Sequence, residues 1–254
     1  MKRSTAVIAS AIALLAAAAT TWAVTTTKPP LGSQLGTSVQ LGAPVSSDPV
    51  KAPACPTGVA PAKCLIVLTR STAVETLTDG VAKPVKVLLP GEIVSFTIGL
   101  AQLSSDPKTA ATDIKNLGAA YGGPAEAQIT IVKPGRNFRW TVVAEGPVVR
   151  LQPYLGYVVQ FPLRTPLQVT PSEAVALTVP TWAPILSYNL TASKFSYRQS
   201  RSTACSQPAP TQSAQLVVSQ SASYLCGYPG TRVQYGATEL TAPVAPTTTT
   251  TKKK

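Results

Sequence analysis

IVSFTIGL, residues 93–100, decides the fold class, because apolar and polar side chains alternate along it. The alternation predicts one buried face, formed by Val94, Phe96, Ile98 and Leu100. A period of two is typical of a half-buried β-strand, since successive side chains of a strand point to opposite faces. We therefore expect a domain built on strands.

Similar β-branched or alternating segments recur on both sides of this stretch, at residues 63–69, 127–132, 138–144, 157–163, 174–179, 188–198, 215–219 and 232–240. In residues 174–179 (AVALTV) the pattern predicts that Val175, Leu177 and Val179 point inward. Residues 134–137 (PGRN) read as a hairpin turn, because proline fixes φ and glycine accepts a positive φ. Short strands separated by turns predict an all-β protein, an antiparallel β-sandwich with a jelly-roll-like strand order.

One segment departs from this pattern. Residues 104–121 space their apolar side chains as a helix does, after Asp106, which can cap a helix, and Pro107, which suits a first turn. Glycines 122 and 123 would end it. We expect a short helix or an ordered loop that crosses one end of the sandwich.

The amino terminus has the three parts of a secretory signal peptide. Lys2 and Arg3 precede an apolar run at residues 6–19, and Thr21 and Ala23 place small residues at a cleavage site. The run is shorter than the roughly 20 residues that cross a bilayer, which favours a cleaved signal (residues 1–23) over a retained anchor. The sequence therefore predicts a secreted, extracellular protein, with cell-surface association left open, and no transmembrane span in the mature chain.

Composition divides the rest of the chain into three parts. Residues 24–53 form a flexible lead rich in Thr, Pro, Gly and Ser, and residues 243–254 form a disordered tail of Thr and Lys. Residues 54–242 are expected to fold as one β-sandwich domain.

The four cysteines are Cys55, Cys64, Cys205 and Cys226. An even number in an oxidising compartment predicts disulfide pairing. Of the three possible connectivities we favour the local one, Cys55–Cys64 and Cys205–Cys226. Their spacing does not resemble the paired Cys-x-x-Cys motifs of a zinc site.

Composition also bears on chemistry. The chain contains no histidine, which excludes histidine-based acid–base catalysis and histidine-ligated metals. Glu92 and Glu173 follow turns just before strands, where solvated charges are common, and no carboxylates pair locally. We therefore predict no catalytic residue, no cofactor and no metal.

The net charge of +12 is spread along the chain without a basic stripe that includes aromatic residues. That pattern argues against nucleic-acid binding. It leaves open association with an anionic envelope polymer, such as a cell-wall glycan, or with lipid headgroups.

The best candidate for a ligand platform is Trp182, which lies between two prolines after a strong strand segment. Tyr154, Tyr157 and Trp140 are expected to accompany it, because exposed aromatic rings stack on sugars. The alternative is that Trp182 fills one end of the core, as most large aromatic side chains do.

Four stretches resemble uncharacterised secreted, β-rich, jelly-roll-like proteins of high-GC actinobacteria: residues 93–100, 121–135 (YGGPAEAQITIVKPG), 148–163 (VVRLQPYLGYVVQFPL) and 175–184 (VALTVPTWAP). The resemblance covers about a third of the chain. It implies a secreted β-rich domain and no particular activity.

Three functions remain open on the sequence. The first is a non-catalytic secreted or cell-surface protein with an adhesive, envelope-associated or glycan-binding role. The second is a structural subunit that binds itself through edge strands to build a filament or coat. The third is an extracellular hydrolase that uses paired carboxylates.

Overall fold

The computed structural model describes residues 37–42, 66–206, 209 and 211–241. These residues form one α-helix, α1 (Pro107–Tyr121), and fifteen strands: β1 Ser38–Leu41, β2 Leu68–Thr78, β3 Val81–Ala82, β4 Gly91–Gly99, β5 Glu126–Pro134, β6 Arg139–Glu145, β7 Val149–Arg150, β8 Val158–Val169, β9 Ala174–Ala183, β10 Leu186–Ser187, β11 Ser196–Gln199, β12 Ser221–Ser223, β13 Cys226–Pro229, β14 Arg232–Val233 and β15 Tyr235–Thr241. Every pairing between these strands is antiparallel, which confirms the predicted all-β class.

The strands form one large sheet and two smaller ones. The large sheet has the order β12-β6-β5-β9-β2-β11-β13, with β3 beside β2 and β7 beside β5. A second sheet has the order β1-β15-β4-β8, and β10 pairs with β14. Side chains from the large sheet and from the second sheet contribute to one hydrophobic core, as a sandwich requires.

The large sheet closes on itself. Its two end strands, β12 and β13, are separated in the chain only by Tyr224 and Leu225. Because each neighbouring pair along the sheet is antiparallel, β12 and β13 run in the same direction. They are therefore two halves of one strand, which pairs first with β6 and then with β11. This strand closes β6, β5, β9, β2 and β11 into a barrel.

Polar side chains fill the interior of the barrel. The Thr178 hydroxyl lies 2.9 Å from that of Thr72 and 2.8 Å from that of Thr130, so three neighbouring strands are linked. The backbone N–H of Gln215 donates to Thr72 Oγ1 over 2.9 Å, and the Tyr224 hydroxyl donates to the Gln215 side chain. Residues 215–219 are predicted as a strand but form none in the structure. Gln215 instead supplies hydrogen-bond partners to Thr72 and Tyr224 inside the barrel.

Closure of the large sheet buries both faces of β9. The sequence predicts only Val175, Leu177 and Val179 inward, but Ala174, Ala176 and Thr178 are buried too. One face of the strand packs in the sandwich core and the other lines the barrel, so neither is solvated.

Tyr235 joins the two main sheets. Its hydroxyl, on β15, donates to the carbonyl of Val175 on β9 over 3.0 Å and accepts the N–H of Glu75 on β2 over 3.4 Å. The ring is fully buried. One side chain therefore fixes the position of the second sheet over two strands of the barrel.

The stretch IVSFTIGL forms most of β4, and the predicted buried face is correct at Phe96, Ile98 and Leu100. At its start the prediction is wrong, because Ile93 is buried and Val94 is only half-buried. The pairing of β4 with β8 shifts register between Ile93 and Ser95. Such an irregularity changes which side chains face the core, since the strand period is two.

The predicted helix is confirmed as α1. Asp106 caps it by accepting the N–H of Thr109 over 2.8 Å, and Pro107 occupies the first turn. Gly122 ends it at φ 87°, a left-handed conformation that glycine adopts without steric cost. Leu117 is the buried residue through which the helix packs.

Residues 38–41, which the sequence assigns to a flexible lead, form the edge strand β1. All four pair with β15, and Leu41 is buried. Backbone pairing with β15 orders this segment, although its side chains show little alternation of apolar and polar residues. The predicted signal peptide (1–23), the tail (243–254), and Cys55 and Cys64 lie outside the described residues.

Cys205 and Cys226 form a disulfide, with Cα atoms 5.3 Å apart and 21 residues of sequence separation. This is one of the two bonds in the favoured connectivity. It joins the segment after β11 to the start of β13, and so braces the strand that closes the barrel.

We expect Cys205→Ala combined with Cys226→Ala to lower the free energy of unfolding by about 3 kcal/mol, because the bond restricts a loop of this length in the unfolded chain. Denaturant unfolding followed by circular dichroism measures the change. Ser206→Ala, beside the bond, should leave the midpoint unchanged. Equal midpoints for the double variant and the native chain would show that the bond does not brace the fold.

Candidate functional site

A groove with a volume of about 730 Å³ opens at one mouth of the barrel. We call it the mouth groove. It is lined by barrel side chains and by the turns around them, principally Val74, Thr76, Lys83, Lys86, Phe138, Trp140, Ser172, Ala174 and Arg198. Barrel mouths are common positions for ligand sites, because the strands hold the lining rigidly while the turns vary.

Strand register explains why these residues meet. Arg198 lies opposite Val74 in the β11–β2 pairing, and Trp140 lies opposite Pro134 in the β5–β6 hairpin. Lys86 forms an isolated bridge with Ala174, which brings the segment after β3 against the start of β9. Opposed residues of antiparallel strands point to the same side, so Val74 enters the groove with Arg198, and Pro134 with Trp140.

Trp140 supplies an aromatic surface in the mouth groove. Its half-buried ring stacks on the fully buried ring of Tyr224, with centroids 4.9 Å apart and planes inclined by 23°. Burial raises the pKa of Tyr224, so its hydroxyl remains a neutral hydrogen-bond donor to Gln215. The polar interior of the barrel thus supports the aromatic surface from below.

Arg198 lies where the barrel closes. Its Nη1 donates to the carbonyls of Tyr224, over 2.9 Å, and Leu225, over 3.2 Å. Its guanidinium carbon also lies 4.2 Å from the centre of the Phe138 ring, within the range of a cation–π contact. The residue therefore fixes the two-residue link between β12 and β13 and carries a positive charge at the groove.

The groove is electrostatically one-sided. Lys83 and Lys86 are exposed beside it, and Arg198 adds a third cation. Glu75 is the one acidic residue among the described lining residues. Its carboxyl group is buried, accepts the Thr78 hydroxyl over 3.1 Å and lies 3.5 Å from Arg232 Nε. The accessible charge is therefore positive, which suits an anionic ligand.

The turns around the groove hold strained backbone. Lys83, Asn137, Phe138 and Ser172 all have positive φ, at 55°, 53°, 55° and 83°. Residues other than glycine rarely adopt this conformation, and a bulky aromatic residue such as Phe138 does so at a real cost. Such strain gathers at ligand clamps and active sites, and these four residues all line the mouth groove.

The structure corrects the predicted platform around Trp182. This side chain is 0% exposed, and its indole N–H donates to the carbonyl of Gly123 over 3.0 Å. It therefore fills the core, the alternative that the sequence left open. Trp140 lies near the start of β9 and Trp182 near its end, so the two do not share a surface.

Tyr154 and Tyr157 lie neither beside Trp182 nor in the lining of the mouth groove. They flank Gly156 just before β8, and the Tyr154 ring meets Phe161 edge-on, with centroids 5.6 Å apart. Both are exposed, Tyr157 at 66%. Of the four predicted aromatic residues, only Trp140 lines the mouth groove.

Buried carboxyl groups are the feature that sequence reasoning missed. Burial raises the pKa of Glu75 to about 8 although the Arg232 guanidinium and the Thr78 hydroxyl oppose the shift. Burial also raises the pKa of Glu239, whose Oε1 has no hydrogen-bond partner in the described structure. Each lies two residues after a buried alanine of its strand, Ala73 for Glu75 and Ala237 for Glu239, and therefore on the same buried face.

Neither carboxyl group forms a pair across the mouth groove, since Glu75 alone contributes to its described lining. Among the described residues, no three side chains of the metal-binding types come together. Within the same residues, no helix combines the length and apolar character needed to span a bilayer. What the groove offers a ligand is positive charge and the surfaces of the Phe138 and Trp140 rings.

Comparison with known proteins found no match for this chain among protein families, curated proteins or solved structures. The resemblance to secreted actinobacterial proteins stays a prediction, and function has to be argued from the geometry.

We expect Arg198→Lys to lower the free energy of unfolding by about 1–2 kcal/mol, because a lysine keeps the charge but loses the planar group that meets two carbonyls and a ring. Hydrogen–deuterium exchange should speed up in β12 and β13 and not in β4 or β8. Arg136→Lys, at an exposed position of the hairpin, is the control. Uniform exchange changes would contradict a role at the closing link.

Glu75 makes stability pH-dependent in a definite direction. Its folded pKa of about 8 exceeds the value of 4.5 of a free glutamate, so between these limits the folded state keeps a proton that the unfolded state releases. Stability should fall as pH rises through this window, by up to about 1.4 kcal/mol per pH unit.

Denaturant unfolding at a series of pH values tests this. Glu75→Gln should flatten the fall, leaving the part that Glu239 contributes with the same sign. Glu126→Gln, at a partly exposed position of β5, should keep the native slope. A native slope in Glu75→Gln would show that this carboxyl group is not protonated in the folded state.

Proposed function

We propose that this protein is a non-catalytic extracellular binding protein, and that it holds an anionic glycan of a cell envelope in the mouth groove. The observation that carries the proposal is the combination of three cations, Lys83, Lys86 and Arg198, with the aromatic rings of Trp140 and Phe138 in one groove. Acidic sugars present both an anionic group and an apolar C–H face, so they match both features.

The rings and the cations have separate roles. Trp140 is held by its stack on Tyr224, and Phe138 by the Arg198 guanidinium. Because these rings are already positioned, a sugar face that packs on them costs little side-chain entropy. Lys83 and Lys86 are exposed and long, so they can follow the carboxylates or phosphates of successive sugar units.

Other observations support an extracellular binding role. The Cys205–Cys226 bond favours an oxidising compartment, in line with the signal peptide that the sequence predicts. The groove has one acidic residue in its described lining and the chain has no histidine, so acid–base catalysis lacks its usual groups there.

Assembly through edge strands has less support. β8 is an edge strand of the second sheet within the described residues, and it is twelve residues long. It contains Pro162 and Pro166, which have no backbone N–H to donate to an added strand. Prolines on an edge are a common protection against strand addition.

A binding experiment tests the proposed ligand class. Titration calorimetry with a galacturonate oligosaccharide should show binding, and a neutral galactose oligosaccharide of the same length should bind much more weakly. Lys83→Ala with Lys86→Ala should weaken galacturonate binding by about tenfold or more, since two charge contacts are lost.

Lys108→Ala with Lys115→Ala is the matched control, because it removes the same charge from exposed positions of α1. This control should bind as the native protein does. Equal weakening in both double variants would indicate general electrostatic attraction, and equal affinity for the neutral oligosaccharide would remove the role of charge. Either result counts against the mouth groove as an anionic-glycan site.

A further inference from the structure

Large apolar side chains stand exposed around the mouth groove. Val81 is 60% exposed, Leu88 71%, Leu89 44% and Phe138 45%. A single exposed aliphatic side chain is ordinary on a protein surface, but several of them at one end of a barrel are informative.

The four side chains belong to three chain segments that contribute residues to the groove or are tied to it by hydrogen bonds. Val81 precedes Ala82 and Lys83, and Phe138 is itself part of the lining. Leu88 and Leu89 follow Val87, whose N–H donates to the Glu173 carbonyl over 2.9 Å and whose carbonyl accepts the Ser172 N–H over 3.3 Å. Ser172 lines the groove, so this segment is tied to the same end of the barrel.

We call Val81, Leu88, Leu89 and Phe138 the apolar tips. Basic residues lie near them in the chain. The turns and the groove carry four of them, Lys83, Lys86, Arg136 and Arg198, and the strand ends beside the Arg136 turn add Lys133 and Arg139. Asp79, Glu173 and the buried Glu75 are the acidic residues of the same region, and the Glu173 carboxylate already accepts the Thr170 N–H over 2.8 Å. The end of the barrel is therefore both positively charged and apolar at its tips.

We propose that this end of the barrel docks on a lipid bilayer that contains anionic phospholipid. Apolar tips on separate turns do not make the flat, continuous patch that a protein partner would cover. A bilayer interface accepts them individually, because each side chain can enter the boundary between headgroups and acyl chains while neighbouring lysines and arginines meet the phosphates.

This inference is independent of the glycan proposal, because the tips of Leu88 and Leu89 are not part of the described groove lining. Lys83, Lys86 and Phe138 would contribute to both. Variants of Leu88 and Leu89 therefore separate the two ideas, and variants of the lysines or of Phe138 do not.

Vesicle co-sedimentation tests the proposal with full-length protein. Vesicles of phosphatidylcholine with phosphatidylglycerol should bind the protein, and vesicles of phosphatidylcholine alone should bind it at least about tenfold more weakly. Leu88→Ser with Leu89→Ser should weaken binding to the anionic vesicles by about tenfold and leave galacturonate binding unchanged.

Val217→Ser with Val218→Ser is the matched control, because these residues are 60% and 51% exposed outside the turns that border the groove. This control should bind vesicles as the native protein does. If both pairs lower binding equally, or if the leucine pair changes nothing, the proposal is overturned.

A second measurement covers the case in which the leucine variant does not fold. In Leu88→Trp, brominated phospholipids in the anionic vesicles should quench the added fluorescence, whereas the tryptophan of Val217→Trp should stay unquenched. Equal quenching at the two positions, or none at position 88, would contradict insertion by this end of the barrel.

Discussion

The closing strand, residues 221–229, is the constraint on which the rest of the structure depends. Its first half pairs with β6 and its second half with β11, so a single chain segment turns an open sheet into a barrel. Three contacts hold the link between the halves: Arg198 donates to both link carbonyls, the Tyr224 N–H donates to the Phe138 carbonyl over 2.8 Å, and the disulfide at Cys226 ties down the next strand. Closure also removes two exposed sheet edges, which an open sheet would have to protect.

Closure determines what the barrel contains. The polar side chains of its network are fully buried, so each polar group in them needs a partner inside the protein. The hydroxyls of Thr72, Thr130 and Thr178 satisfy one another, and Gln215 donates through its side chain to the carbonyls of Trp140 and Gln220 over 3.1 and 2.8 Å. Because Tyr224 joins this network and also carries the Trp140 ring, the interior that stabilises the barrel also sets the aromatic surface of the groove.

Local features of this fold were predictable, and features that depend on distant pairing were not. Alternation in residues 93–100 identified β4, and Asp106, Pro107 and Gly122 marked the limits of α1, because both signals lie within a few adjacent residues. The barrel interior joins Thr72 to Thr178, 106 residues apart, and Thr130 to Thr178, 48 apart. No local pattern records such pairings. The choice between the two interpretations of Trp182 also depends on a distant contact, since the Gly123 carbonyl that accepts its indole N–H is 59 residues away.

Trp140 shows how far sequence reasoning reached toward the site. It was identified as an aromatic candidate, and the PGRN turn beside it was recognised, but the lysines opposite it come from another hairpin that only the folded barrel brings near. Lys83 and Lys86 would serve both the groove and the apolar tips. A soluble anionic glycan and lipid phosphates would compete for Lys83 and Lys86, because one ammonium group cannot neutralise two ligands fully.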